Sequence, residues 1–182
     1  MERYLACFKK NIVTENRDKK QILFLDSTCI KAHFNACGAR GGNEKIGKTK
    51  GGINTKVTVA CDEYLNPLYL QIDSGNKSDM KIGEEIANLI QSHTVLVADK
   101  GYDSNKIRDR LKKRKIRSVI PYRKNRKKKK RISKVIYKQS NVIERFFLKL
   151  KKFRRINTRY DKRSSTFYSF VVIAFICLMI GL

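Results

Sequence analysis

Two short apolar runs, Ile22-Leu23-Phe24-Leu25 and Thr94-Val95-Leu96-Val97-Ala98, each break off at an aspartate, Asp26 and Asp99. Both are continuous rather than alternating and too short for a buried helix, which suits strands covered on both faces. If they lie parallel in one sheet, both carboxylates emerge at the same carboxyl edge, where open α/β sheets place their sites. The segments around them agree with such a sheet. Ile53, Thr55, Val57, Val59 and Cys61 alternate with Asn54, Lys56 and Thr58, and Leu68, Leu70 and Ile72 repeat the period after a turn at 62–67, so a hairpin is expected. Ser78 can cap a helix whose apolar face is Ile82, Ile86, Leu89 and Ile90.

Beyond Asp99 comes a short basic helix carrying Ile107 and Leu111, then a strand Ser118-Val119-Ile120 stopped by Pro121. A longer helix is expected over roughly 139–154, with Val142, Ile143, Phe146, Phe147, Leu150 and Phe153 as its stripe. The apolar run 165–182 is shorter than the ~20 residues a spanning helix needs and reads as a buried closing helix. The expected fold class is therefore α/β, a mixed sheet flanked by helices. A lead-in over 1–20 precedes one domain over 21–182, with a basic loop at 122–135.

Charge narrows the partners. Lys and Arg number 42 against 16 Asp and Glu, a formal net charge of +26 on 182 residues. Self-repulsion of that size fits a polyanionic partner, with nucleic acid ahead of an anionic membrane surface. Between Tyr122 and Arg131, eight of ten residues are basic, a block suited to gripping phosphates. Surface aromatics arranged for base stacking are missing, which argues against an RNA-binding protein. The five cysteines (Cys7, Cys29, Cys37, Cys61, Cys177) include no Cys-x-x-Cys pair, so a disulfide framework is not implied and a reducing cytoplasm is the expected compartment. Cys29, His33 and Cys37 fall four apart, but the glycines from Gly38 onward count against the helix that a zinc site there would need.

The chemistry sits with the carboxylates. Glu144, on the border of the late helix's stripe, is a third candidate beside Asp26 and Asp99, and three carboxylates suit hard divalent cations. The bland alternative is that both aspartates merely cap strand-end turns. A competing motif, Gly42-Asn43-Glu44-Lys45-Ile46-Gly47-Lys48-Thr49, matches the phosphate-loop pattern. It is rejected because Lys50-Gly51-Gly52 follows in place of the required helix.

The wording around these residues is more specific. Leu25-Asp26-Ser27-Thr28, Gly51-Gly52-x-x-Thr55-Lys56, Gly75-Asn76-x-x-Asp79, Ala98-Asp99-Lys100-Gly101-Tyr102-Asp103-Ser104, Ile120-Pro121-Tyr122-Arg123 and Arg159-Tyr160-Asp161-Lys162 occur in this order. Together they resemble successive blocks of the DDE transposases of bacterial insertion sequences, the large group numbered four and five. The resemblance runs from about Phe24 to the C-terminus.

It implies a ribonuclease H-like fold in which Asp26, Asp99 and Glu144 are catalytic and hold two Mg²⁺ ions, with Mn²⁺ as a substitute. The implied activity is cleavage at transposon ends and strand transfer into target DNA. Lys56, Lys100, Arg123, Lys124, Arg126, Tyr137 and Lys151 would contact double-stranded DNA, and a dimer would assemble on it. The implied setting is the bacterial cytoplasm, on the nucleoid through DNA, without stable membrane association. The family's Y-x2-R-x3-E-x6-K signature reads Tyr137-x2-Ser140-x3-Glu144-x6-Lys151, with Ser140 replacing the arginine. Only 25 residues precede Asp26, where family members usually carry a DNA-end-binding region. Both departures leave open a non-catalytic DNA-binding remnant or regulator of the same family.

Overall fold

A computed structural model of the chain describes residues 21–90, 92, 94–126 and 131–181. The lead-in with Cys7, His93, the four lysines at 127–130 and Leu182 lie outside the described residues. The strands are β1 (Ile22–Ala32), β2 (Gly47–Thr49), β3 (Gly52–Cys61), β4 (Pro67–Ser74), β5 (Val95–Ala98), β6 (Arg117–Val119) and β7 (Thr158–Arg159). The helices are α1 (Asp79–Ala87), α2 (Asn105–Lys113), α3 (Lys134–Lys138), α4 (Asn141–Leu150), α5 (Arg154–Asn157) and α6 (Ser164–Met179).

β4, β3 and β1 form an antiparallel meander, and β5 and β6 extend it parallel to β1. β2 pairs the first residues of β3, and β7 pairs the last residues of β1. The central order β4–β3–β1–β5–β6 is a ribonuclease H-like mixed sheet, as the resemblance implies.

Strand alternation splits the core into two layers. Phe24, Val57, Val59, Val95 and Val97 face α4, α5 and α6, where Phe146, Leu150, Ile156, Phe167 and Val171 bury against them. Leu23, Leu25, Leu96 and Ala98 face α1 and α2, meeting Ile82, Ile86, Ile107 and Leu111. Helices thus cover both faces of the parallel strands, which is why those strands read as unbroken apolar runs.

The expected helix over 139–154 is subdivided. Ser140 donates its amide to Tyr137 O, three residues back, so the chain tightens between α3 and α4. At the other end Phe153 turns to extended backbone and packs toward the core, and α5 starts anew. Gly47–Thr49 is a strand paired with β3, so no helix follows the phosphate-loop lookalike. Cys29 lies in β1 and His33 caps a 3₁₀ turn at Phe34–Ala36, so the Cys29/His33/Cys37 spacing shares no helical face. α6 buries Phe167, Val171, Ala174 and Phe175, and among the described residues no helix is long and apolar enough to cross a membrane.

Candidate active site

The register of the parallel pair places the two aspartates. Leu25 and Ala98 are partners across β1 and β5, so Asp26 and Asp99 leave neighbouring strands about 5 Å apart. Both follow the parity of Phe24 and Val97, which puts them on the α4 side of the sheet. Helix α4 buries Ile143, Phe146, Phe147 and Leu150 on that same side and leaves Glu144 exposed beside its stripe. Each such side chain contributes roughly 1.5–3 kcal/mol of burial, so Glu144 rides on a firmly seated helix.

Electrostatics shows that these groups share one neighbourhood. The Asp26 carboxyl is pushed up to about 6, first by burial. The Ser27 amide pulls it partly back, and the charges of Asp99, Glu144 and Asp79 push it further up. The Tyr137 hydroxyl is also raised, by burial and then by Asp99, Glu144 and Asp26. Asp26 and Tyr137 therefore both sense the charges of Asp99 and Glu144.

The capping reading of the aspartates holds alongside the clustering. Asp26 Oδ1 accepts the Ser27 amide at 2.8 Å, and Asp99 Oδ1 accepts the Gly101 amide at 2.7 Å, opening the 3₁₀ turn Lys100–Tyr102. Each carboxylate is thus oriented by a nearby backbone amide. Among the described residues no group of three or more His, Cys, Asp or Glu side chains is placed to hold a metal ion. By residue type the donor set still suits a divalent cation. It consists of carboxylate oxygens, and burial and like charge disfavour ionised Asp26, a penalty that a cation would relieve.

Gly101 is a tight point. A Cβ there would lie 2.8 Å from Asp99 Oδ1 and 3.3 Å from Asp79 Oδ2. Gly101→Ala must therefore displace a carboxylate. Cleavage is expected to fall about 100-fold with little change in melting temperature. Near-wild-type turnover would show that Asp99 need not sit where it does.

The remaining sequence-predicted residues divide. Lys100 is exposed beside Asp99, and Lys151 is half-buried as the C-cap of α4. Arg123 donates Nε to Lys100 O at 3.3 Å and Nη2 to Gly101 O at 3.0 Å, bracing the turn behind Asp99. Buried Asp103 anchors the root of the basic loop. Its Oδ2 accepts the Arg123 amide at 2.8 Å, and its Oδ1 pairs with Arg108 at 2.8 Å and Arg126 at 3.4 Å. Arg126 also bonds Asn105, and Lys124 lies in the turn between Arg123 and Arg126.

Lys56 departs from the expected surface role. It is buried, and its ammonium donates to Asp79 Oδ1 at 2.8 Å and to Lys77 O at 2.6 Å. Sequence reasoning missed Asp79 as a member of the site. The Gly75-Asn76-x-x-Asp79 block was its only signal, and it carries no period or apolar run to fix a side chain. The same block's glycine has a steric reason: a Cβ on Gly75 would collide with the Asn54 amide.

A ribonuclease H-like sheet with aspartates at the carboxyl ends of two adjacent parallel strands is the architecture on which polynucleotidyl transfer is built. The transposase DDE domain family matches residues 17–180, and the chain belongs to that family. A predicted transposase for insertion sequence element IS6501 in Brucella ovis is 29% identical over 131 residues, covering 71% of this chain and 99% of that protein. Among solved structures, a piggyBac transposase synaptic complex with hairpin DNA is similar in fold, with a TM-score of 0.54 at 11% identity. The similarity covers 86% of this chain and 45% of the piggyBac chain, so this protein spans less than half of that relative. Family membership carries transposase function, with metal-dependent DNA cleavage as the family's general chemistry.

Proposed function

We propose that this chain is an active transposase domain that cuts phosphodiester bonds at the ends of an insertion sequence and joins the freed 3′-hydroxyl to target DNA. Asp26 and Asp99 at the ends of adjacent parallel strands, with Glu144 on the helix that packs over the same face, carry this reading. These three would hold two Mg²⁺ ions, or Mn²⁺ in their place, which would supply activation of a water or 3′-hydroxyl and charge relief at the leaving oxygen. The chain's own part is preorganisation. Backbone amides fix the two aspartates, and α4 fixes the glutamate. Tyr137, its hydroxyl kept protonated, would donate to a phosphate oxygen.

Lys100, Lys151, Arg123, Lys124 and Arg126 would lead double-stranded DNA into the site, whereas Lys56 would act from beneath it. Two copies would meet on paired DNA ends, and in the cell the protein would stay on the bacterial nucleoid through DNA.

Ser140 favours a second reading. It stands where the signature has arginine, is only partly exposed and makes no side-chain cap to α4, so no bidentate phosphate clamp is available there. On that reading the fold would bind DNA without turnover. A nicking and strand-transfer assay on the element's own ends, with Mg²⁺ or Mn²⁺, separates the two. Product from the wild type and none from Asp99→Ala would support the transposase. No product from either, with DNA binding that weakens steeply as salt rises, would support the remnant.

A further inference from the structure

Beneath the catalytic edge, on the opposite face of β1, lies an ion pair whose role the chemistry above leaves undefined. Asp79, the first residue of α1, directs Oδ1 at Lys56 Nζ (2.8 Å) and accepts the Ser27 hydroxyl at 3.0 Å. Lys56 comes from β3, and only 10% of its side chain is exposed. Its other bond, 2.6 Å to Lys77 O, holds it at the entry to α1. A bond links Asp79 toward Asp26, and its position sets it beside the turn that holds Asp99. Ser27 donates its amide to Asp26 Oδ1, so the residue whose hydroxyl Asp79 grips also orients Asp26. The other oxygen, Oδ2, lies 3.3 Å from the Cβ position of Gly101, whose amide holds Asp99. One carboxylate therefore bonds the residue that orients Asp26 and lies beside Gly101, the residue that orients Asp99, and a buried lysine fixes that carboxylate.

We propose that Lys56 and Asp79 are positioning residues that set the spacing of Asp26 and Asp99 for cation binding, a role that rests on the metal-dependent reading above. Simple electrostatics predicts the opposite outcome for one variant, which makes the role testable. Removing the positive charge of Lys56 from an acidic neighbourhood should tighten divalent-ion binding if charge alone matters. If Lys56 positions Asp79, its loss frees that side chain and weakens binding. Outer-sphere partners of metal ligands typically carry 10–100-fold in affinity.

The test is titration of the full chain with Mn²⁺, free ion being read by electron paramagnetic resonance, alongside thermal denaturation. Lys56→Met and Asp79→Ala are each expected to weaken Mn²⁺ binding about tenfold or more. Asp79→Asn, which keeps an oxygen for Ser27 and Lys56, should recover most of that loss. If Lys56→Met fails to fold, Ser27→Ala removes only the hydroxyl link and should weaken binding by several-fold. Lys56→Met binding as well as or better than wild type would overturn the proposal, as would equal affinities for Asp79→Ala, or for Ser27→Ala, and the wild type. Asp99→Ala marks the separate failure. If it binds Mn²⁺ like the wild type, the ion is not held by these carboxylates. The metal-dependent reading then falls first, and positioning falls with it.

Discussion

Replacing Asp26 by asparagine is expected to abolish cleavage and at the same time to stabilise the metal-free fold. The two effects share one cause. Asp26 is held where burial, and then the charges of Asp99, Glu144 and Asp79, disfavour its ionised form, so its carboxyl is pushed up to about 6. A carboxylate whose folded pKa lies above its unfolded value opposes folding once it must ionise. Below an unfolded pKa of about 3.9 both states are protonated and Asp26 has no effect. Stability then falls as pH rises through the window up to about 6 and stays lowered above it. Two units correspond to at most about 3 kcal/mol, and partial exposure reduces this to roughly 1–2 kcal/mol.

Asp26→Asn removes the charge with almost no change of shape. Its melting temperature should exceed that of the wild type by several degrees near pH 8 and converge with it near pH 4. Added Mg²⁺ should narrow the gap by stabilising only the wild type. Cleavage should drop by at least about 1,000-fold, because the lost oxygen charge cannot be replaced from the remaining set. A variant less stable than the wild type at neutral pH would show that Asp26 serves the fold rather than the reaction.

The split between stability and activity tracks what the sequence made legible. The two aspartates were readable because a buried parallel strand announces itself as an unbroken apolar run, and its end is where a site can open. Glu144 was readable as a polar break beside a helical stripe. The hairpin of β3 and β4 and the helices α1 and α2 follow from period two and period 3.6 in the same way, and α6 from its continuous apolar run. Periodicity cannot report a side chain that reaches across the chain to a backbone atom. Lys56 occupies a polar position of an alternating strand, so its burial under Asp79 was invisible, and it read as a surface cation. The break at Phe153 was hidden for the opposite reason. Phe153 continues the helical stripe in sequence, yet it takes extended backbone ahead of α5 while still packing against the core. The basic run at 122–131 looked uniform, whereas Asp103 fixes Arg123 and Arg126 at its root.

The largest loss of stability is expected at Arg159, a residue no charge count would single out. It is fully buried, and its guanidinium is spent on polar atoms from three parts of the chain. Nε donates to Asp161 O at 2.8 Å, and Nη1 donates to Thr55 Oγ1 at 2.8 Å. Nη2 donates to Glu44 O at 2.9 Å and Lys162 O at 3.1 Å. Arg159 thereby latches the glycine-rich basic loop at Glu44 onto β3 and onto the entry to α6. The latch has a second half. Glu44 Oε2 accepts the amide of Ser164 at 2.8 Å and its hydroxyl at 2.9 Å, capping a helix whose own N-cap, Arg163, provides no side-chain bond. Ser164 and Arg163 in turn hold the Glu44 carboxyl below its usual range, as a negative charge at a helix N-terminus should be.

Arg159→Met keeps the apolar stem but strands several buried acceptors, each worth roughly 1–3 kcal/mol when unsatisfied. Some would recover water at the sheet edge, leaving a net loss of about 3–5 kcal/mol and a melting temperature lower by on the order of 10 °C. Arg159→Lys should recover little, since a single ammonium cannot reach Asp161 O, Thr55 and Glu44 O at once. Hydrogen exchange reads the latch directly. The amides of Lys45 to Thr49 and of Ser164 should lose protection together in Arg159→Met, while those of α1 and α2 on the far face keep theirs. Uniform loss across both faces would mean that Arg159 supports the whole core rather than the loop. A destabilisation below about 1 kcal/mol would mean that this four-bond arrangement is not held in solution.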